Sequence, residues 1–175
     1  ETTDAGPRRL QRVALLTVVF AYLQLVIGAQ LRHVSVMASP GMFRGAVLFH
    51  LVMAVVVTVH VFHLFLVVRQ QYPSVAPLQL PVFLLAALIV FQLGLGGATW
   101  VVKYGWPEFF AHYSFAAPYT IQAKSLMQAI IVTSHMATGS LILATSVMAF
   151  ARSVRLVRVP SMALGSSALM LELAT

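Results

Sequence analysis

Four histidines stand inside apolar sequence: His50, His60 and His63 in "AVLFHLVMAVVVTVHVFHL", and His135 in "IIVTSHMATGSLIL". Imidazole carries protons near neutral pH and is the commonest metal ligand among side chains. Inside a membrane span an ionisable group costs a few kcal/mol on insertion scales, so it raises a functional question by default. The remaining two, His33 and His112, fall in or beside connecting sequence, where a solvated histidine is ordinary. The chain has no cysteine, which excludes disulfides, thiolate catalysis and cysteine-ligated clusters or zinc. All four acids, Glu1, Asp4, Glu108 and Glu172, lie outside the apolar runs. No buried carboxylate therefore stands beside a buried histidine to act as general acid or base, and no catalytic residue is assigned in this chain.

What must position these histidines is a membrane bundle. The chain has 175 residues, of which 60% are hydrophobic and 9% charged, whereas about a quarter of an ordinary soluble domain is charged. Its mean hydropathy is +0.91. Four apolar runs, near 13–31, 45–68, 81–102 and 125–151, have the length of roughly 20 residues or more that crosses a bilayer as a helix. The fold expected is an all-α membrane protein, a four-transmembrane-helix bundle over 13–151, preceded by a polar segment 1–12 and followed by a basic segment and tail 152–175. The net charge of +7 reports topology rather than nucleic-acid binding, because the basic residues gather at the span ends. Arg8, Arg9, Arg12, Arg69, Arg152, Arg155 and Arg158 fall on one side, against Arg32, Arg44, Lys103 and Lys124 on the other. The positive-inside rule then places both termini in the cytoplasm, and the expected location is the cell's inner membrane. Because it begins with Glu1 and carries no signal peptide, it reads as part of something longer.

An internal repeat organises the bundle. "LQLVIGAQL" in the first span and "FQLGLGGAT" in the third match at Gln24 with Gln92, Gly28 with Gly96, and Ala29 with Gly97. Each is followed by a span with a histidine in its outer half, His50 in one and His135 in the other. The unit is a helix pair used twice, related by an axis along the membrane normal. A Gln and a Gly four apart share one helix face, where the Gly permits close approach and the Gln can hydrogen-bond; plain helix packing is the competing reading for the glycines.

Two histidines at matching places in such a repeat present imidazoles to opposite faces of a flat ligand, as when a four-helix bundle holds haem. Ala46 and Ala54 flank His50 at four residues, and Gly139 lies four after His135, leaving room for a porphyrin. His60 and His63 share a face nearer the inner end. The distance from His50 to His63 is close to that by which some cytochromes b stack two haems, but the fourth span has no matching inner histidine, so polar packing or snorkelling is the expected role. Anionic propionates need donors on the outer side. Arg44, just before the helix of His50, and Arg32, ending the helix of Gln24, are the candidates; each could instead simply mark the end of a span. Trp100, Tyr104 and Trp106 read as an interfacial aromatic belt.

With those residues in view, "LQLVIGAQLRH", "FHLVMAV", "QLGLGGATWVVKYGWP" and "TSHMATGSLILATSVMAFARS" resemble the carboxy-terminal four-helix half of bacterial haem A synthase, over about 10–158. The resemblance implies an integral membrane oxidoreductase that oxidises the methyl group of haem O to the formyl group of haem A for cytochrome oxidase assembly. It implies two pseudo-symmetric bundles, one for the substrate haem and one for a haem b cofactor, with His50 and His135 as the axial pair of the cofactor half. The expected partners are a homologous four-helix catalytic half, haem O and haem A, the lipid bilayer and cytochrome oxidase assembly proteins. In the substrate half the family carries Glu-x-x-His; here the glutamate position is Val47. The chain thus resembles the cofactor half; Gln24, Gln92, Gly139, Arg32 and Arg44, singled out above by spacing and charge, are the further residues expected beside the haem b. An electron-transferring cytochrome b subunit of a membrane redox complex is the alternative.

Overall fold

The computed structural model describes residues 5–33, 39–105 and 125–157. Trp106, His112, Lys124, Arg158, the four acids and the expected tail lie outside the described residues. Four helices make up the fold: α1 (Ala5–Arg32), α2 (Pro40–Gln71), α3 (Ala76–Tyr104) and α4 (Leu126–Leu156). All four are long and apolar enough to cross a membrane; α1, α2 and α3 each contain one of the spans expected from sequence, and α4 contains the fourth but for its first residue, the capping Ser125. At 28, 32, 29 and 31 residues they measure roughly 42–48 Å, more than the ~30 Å of hydrocarbon. The excess explains why the helices overrun the boundaries read from hydropathy. α1 begins within the segment expected to precede the bundle, α2 starts five residues before the expected Gly45, and α4 continues past Ala151.

Local chemistry sets the ends. Ser39 and Ser125 cap α2 and α4, each hydroxyl accepting from the backbone N–H three residues on, at 3.2 Å in both cases. Pro40, the first residue of α2, loses no helical hydrogen bond there. Gly105, at φ 88°, ends α3 in a left-handed conformation that favours glycine. Pro81 lies inside α3, and its missing N–H leaves the carbonyl of Pro77, one turn back, without its usual partner. The Arg152 guanidinium of α4 donates to that carbonyl.

The helices form a closed ring in which α1 packs on α2, α2 on α3, α3 on α4 and α4 on α1, with the diagonals hardly touching. The two pairs of the repeat, α1–α2 and α3–α4, share the most extensive seams, and α2–α3 has the least extensive one. α2 and α4, the histidine-bearing helices, are diagonal to one another.

Packing divides the bundle into two halves along its axis. In the half near both described chain ends the core is dense: Leu10, Thr17, Val57, Val61, Leu64, Val68, Leu78, Pro81, Val82, Leu85, Ser146 and Ser153 are all under 2% exposed. Its buried hydroxyls fold back on their own helices, Thr17 to Val13 O at 2.8 Å and Ser146 to Ile142 O at 2.7 Å, so they add no unsatisfied polar group to the interior. Cross-links close the end itself, including Gln11 Nε2 donating to Val157 O at 3.0 Å. The opposite half, beyond Ala21, Met53, Ile89 and Thr138, contains no described side chain buried to that degree. That looser half is where the repeat places its histidines.

Candidate functional site

His50 and His135 sit roughly 14–15 Å into their helices, counted at 1.5 Å per residue from Pro40 and Leu126. Comparable depth follows from two helices that start at equivalent serine caps. Each imidazole lies against the first helix of its own pair. A Cβ on Gly28 would come within 3.3 Å of His50 Cε1, and a Cβ on Gly96 within 3.4 Å of His135 Cε1. The same edge of each ring therefore rests on a glycine of the preceding helix, and the axis read from the repeat relates the two contacts. Gly97 has nothing within 4 Å of where a Cβ would stand, and Ala29 is exposed, so the third match of the repeat faces away from the site.

The glutamines join the same clusters without being equivalent. Gln24 Nε2 lies 3.3 Å from His50 Nε2, whereas Gln92 Nε2 donates to the backbone carbonyl of His135 at 3.0 Å. Gly139 makes the second contact possible, because a Cβ there would stand 3.3 Å from Gln92 Nε2 and 3.5 Å from Leu25 Cδ1. The space beside Gly139 thus receives the Gln92 amide and Leu25, not an open slot. Ala54, in the corresponding place on α2, keeps its methyl group.

Four polar atoms of this cluster are buried with no hydrogen-bond partner: Gln24 Oε1, His50 Nδ1, Gln92 Oε1 and His135 Nδ1. An orphaned buried donor or acceptor costs about 1–3 kcal/mol, so protein-only contacts leave the centre of the loose half unsatisfied. Among the described residues no three histidine or acidic side chains converge on a metal. What the site offers is two imidazoles, the number required by an iron whose other four ligands come from a porphyrin. The orphaned imidazole nitrogens, the glycine cradles and the sparse packing fit such a group.

The arginines diverge. Arg32 ends α1 as expected and reaches across to the Met136 sulfur, next to His135. Arg44 does not precede the helix of His50; it is the fifth residue of α2, because Ser39 and Pro40 start that helix earlier than hydropathy indicates. From there it lines a lateral groove of about 160 Å³ between α2 and α3, with Phe43, Val47, Leu48, Leu51 and Trp100. Tyr104 packs beside this groove, its ring centroid 5.7 Å from Phe43 and 4.9 Å from Trp100.

The other apolar histidines are separate from this cluster. His60 Nδ1 hydrogen-bonds Val56 O at 3.0 Å, and its ring meets Phe20 edge-on at 4.6 Å, the polar packing expected of it. His63 is exposed on the bundle's outer surface and His33 just past the end of α1. Sequence reasoning missed the Ser39 cap, although Ser-Pro before an apolar run is a helix-start signal. Comparison with known proteins finds no match to a family model, to a curated protein or to a solved structure.

Proposed function

We propose that this chain is a haem b-binding membrane domain in which His50 and His135 supply both axial ligands, and that it serves as the cofactor half of an enzyme of the haem A synthase type. The observation that carries the reading is the paired cradle: two imidazoles on diagonal helices at comparable depth, each resting on a repeat glycine, each with a buried Nδ1 lacking a partner. Haem b held there would supply a one-electron iron couple with both axial positions filled, which suits electron transfer rather than oxygen binding.

The chain's own residues then have distinct tasks. Gly28 and Gly96 leave room for the imidazoles, Gln24 orients His50, and Gln92 fixes the backbone of α4 at His135. Arg32 and Arg44 bring positive charge to the histidine end, where the described residues include no carboxylate. Val47 in place of a glutamate favours a cofactor role, with haem O oxidised in a homologous four-helix half. The same lack of an acid among the described residues also favours a second reading, an electron-transferring cytochrome b subunit.

Purified protein should show a low-spin bis-histidine spectrum and about one haem b per chain by pyridine haemochrome. His50→Ala and His135→Ala should each abolish it. A colourless wild-type protein, or two haems per chain, would overturn the assignment. Co-purification with a four-helix segment bearing Glu-x-x-His supports the synthase reading, and with a quinone or flavin subunit the cytochrome.

A further inference from the structure

We infer that the groove between α2 and α3 at the histidine end is the lateral portal through which the tetrapyrrole enters from the bilayer, an inference that rests on the haem-binding reading above. The repeat makes two seams equivalent, α2–α3 and α4–α1, yet they differ. The α4–α1 seam is the more extensive, and it is bridged at one end by Arg32 with Met136 and at the other by Gln11 with Val157. The α2–α3 seam opens at the histidine end into the groove of about 160 Å³ beside Arg44.

Three properties of that groove select its occupant. Its walls are apolar and partly aromatic, with Leu48 63% exposed, Leu51 54% and Trp100 37%; on a membrane-spanning bundle such exposure faces lipid. Among the residues that line it the one cation is Arg44, without a carboxylate to pair with among the described residues, and Lys103 stands 5.5 Å over the Tyr104 ring beside it. Val47 and Leu51 lie on the helical turn that carries His50, so the groove is backed directly by the ligand-bearing segment. A flat apolar body with an anionic edge matches this arrangement: the macrocycle slides between Val47 and Trp100 while its propionates track Arg44. A zwitterionic lipid matches the walls but gains less from the cation.

The test compares bulk at the two seams. Apoprotein in nanodiscs is mixed with haem b carried in the same lipid, and uptake is followed by stopped-flow absorbance. Val47→Trp should slow uptake at least ten-fold, while Val132→Trp, at the matching position on α4, changes it less than two-fold; both should still reach one haem per chain. Leu48→Trp, on the same wall, provides the same readout should Val47→Trp fail to fold. Arg44→Gln should slow haem b several-fold yet leave the rate for haem b dimethyl ester, which lacks the carboxylates, unchanged. Equal slowing at both seams, or none at either, refutes the portal while leaving haem binding intact. A wild-type protein that takes up no haem refutes the functional reading and the portal with it.

Discussion

Replacing the two cradle glycines tests whether the repeat exists to seat imidazoles or only to bring helices together. Gly28→Ala would set a methyl group 3.3 Å from His50 Cε1 and 3.8 Å from Nδ1; Gly96→Ala would set one 3.4 Å from His135 Cε1. Carbon atoms pack best at about 3.5–4.0 Å, so either ring must yield by a few tenths of an ångström. The substitution also removes glycine's helix penalty of about 1 kcal/mol. Alanine should therefore leave apoprotein stability unchanged or slightly raised and weaken haem retention a few-fold. Leucine cannot be absorbed by so small a shift: Gly28→Leu and Gly96→Leu should weaken retention at least ten-fold, about 1.4 kcal/mol, by swinging the imidazole off its axis. Gly94 and Gly97 have nothing within 4 Å of an added Cβ, so Gly94→Leu and Gly97→Leu serve as controls for bulk and propensity. The assay is haem transfer to an excess of apomyoglobin, with thermal unfolding of the apoprotein in detergent alongside. If all four leucine variants hold haem equally well, the imidazoles do not depend on those glycines and the cradle argument fails.

Arg152→Leu should destabilise the bundle by no more than about 0.5–1.5 kcal/mol, because the hydrogen bond lost at the Pro77 carbonyl is exposed and water can take its place, and Pro81→Ala, which restores a backbone N–H beneath it, should recover much of that loss; additive effects in thermal unfolding would break the proposed link. Arg44→Ala should reduce haem retention less than His50→Ala, since a rim contact is partly replaceable by water and an axial ligand is not; equal loss in haemochrome content would give Arg44 a larger role. Supplied with reductant, oxygen and haem O, the four-helix chain alone should yield no haem A on chromatography, because the described residues include no carboxylate and the paired histidines are assigned to iron. Haem A made by the wild type but not by His50→Ala would reverse the proposed division of labour.

The spans were legible because the bilayer demands long apolar runs, and the histidine pair because identical residues recur at one offset: Gln24 with Gln92, Gly28 with Gly96. The contacts of both glycines with imidazoles follow that repeat closely. Helix ends were not legible from hydropathy, which falls off where a helix leaves hydrocarbon while its hydrogen bonds continue; hence Arg44 lies within α2. Nor was the use of Gly139, since composition shows that space exists beside it but not that the Gln92 amide takes it. The contrast between dense and loose halves escaped the sequence for a further reason. Lipid-facing positions such as Val55 and Val59 are as apolar as the buried Val57 and Val61, so no polar stripe marks which side is inside.

The near-symmetry of the cradle has a consequence for any unsymmetrical flat ligand lying on its axis. Turned over about that axis, such a ligand exchanges its two faces between His50 and His135 and meets almost the same surroundings, so two orientations compete. Only the departures from the repeat distinguish them: an amide on an imidazole at Gln24 against an amide on a carbonyl at Gln92, a methyl at Ala54 against none at Gly139, Arg44 against Ala129, and Arg32 against Trp100. About 1.4 kcal/mol between the orientations yields a ten-to-one mixture. These few mismatched residues thus decide whether the domain holds one isomer or two.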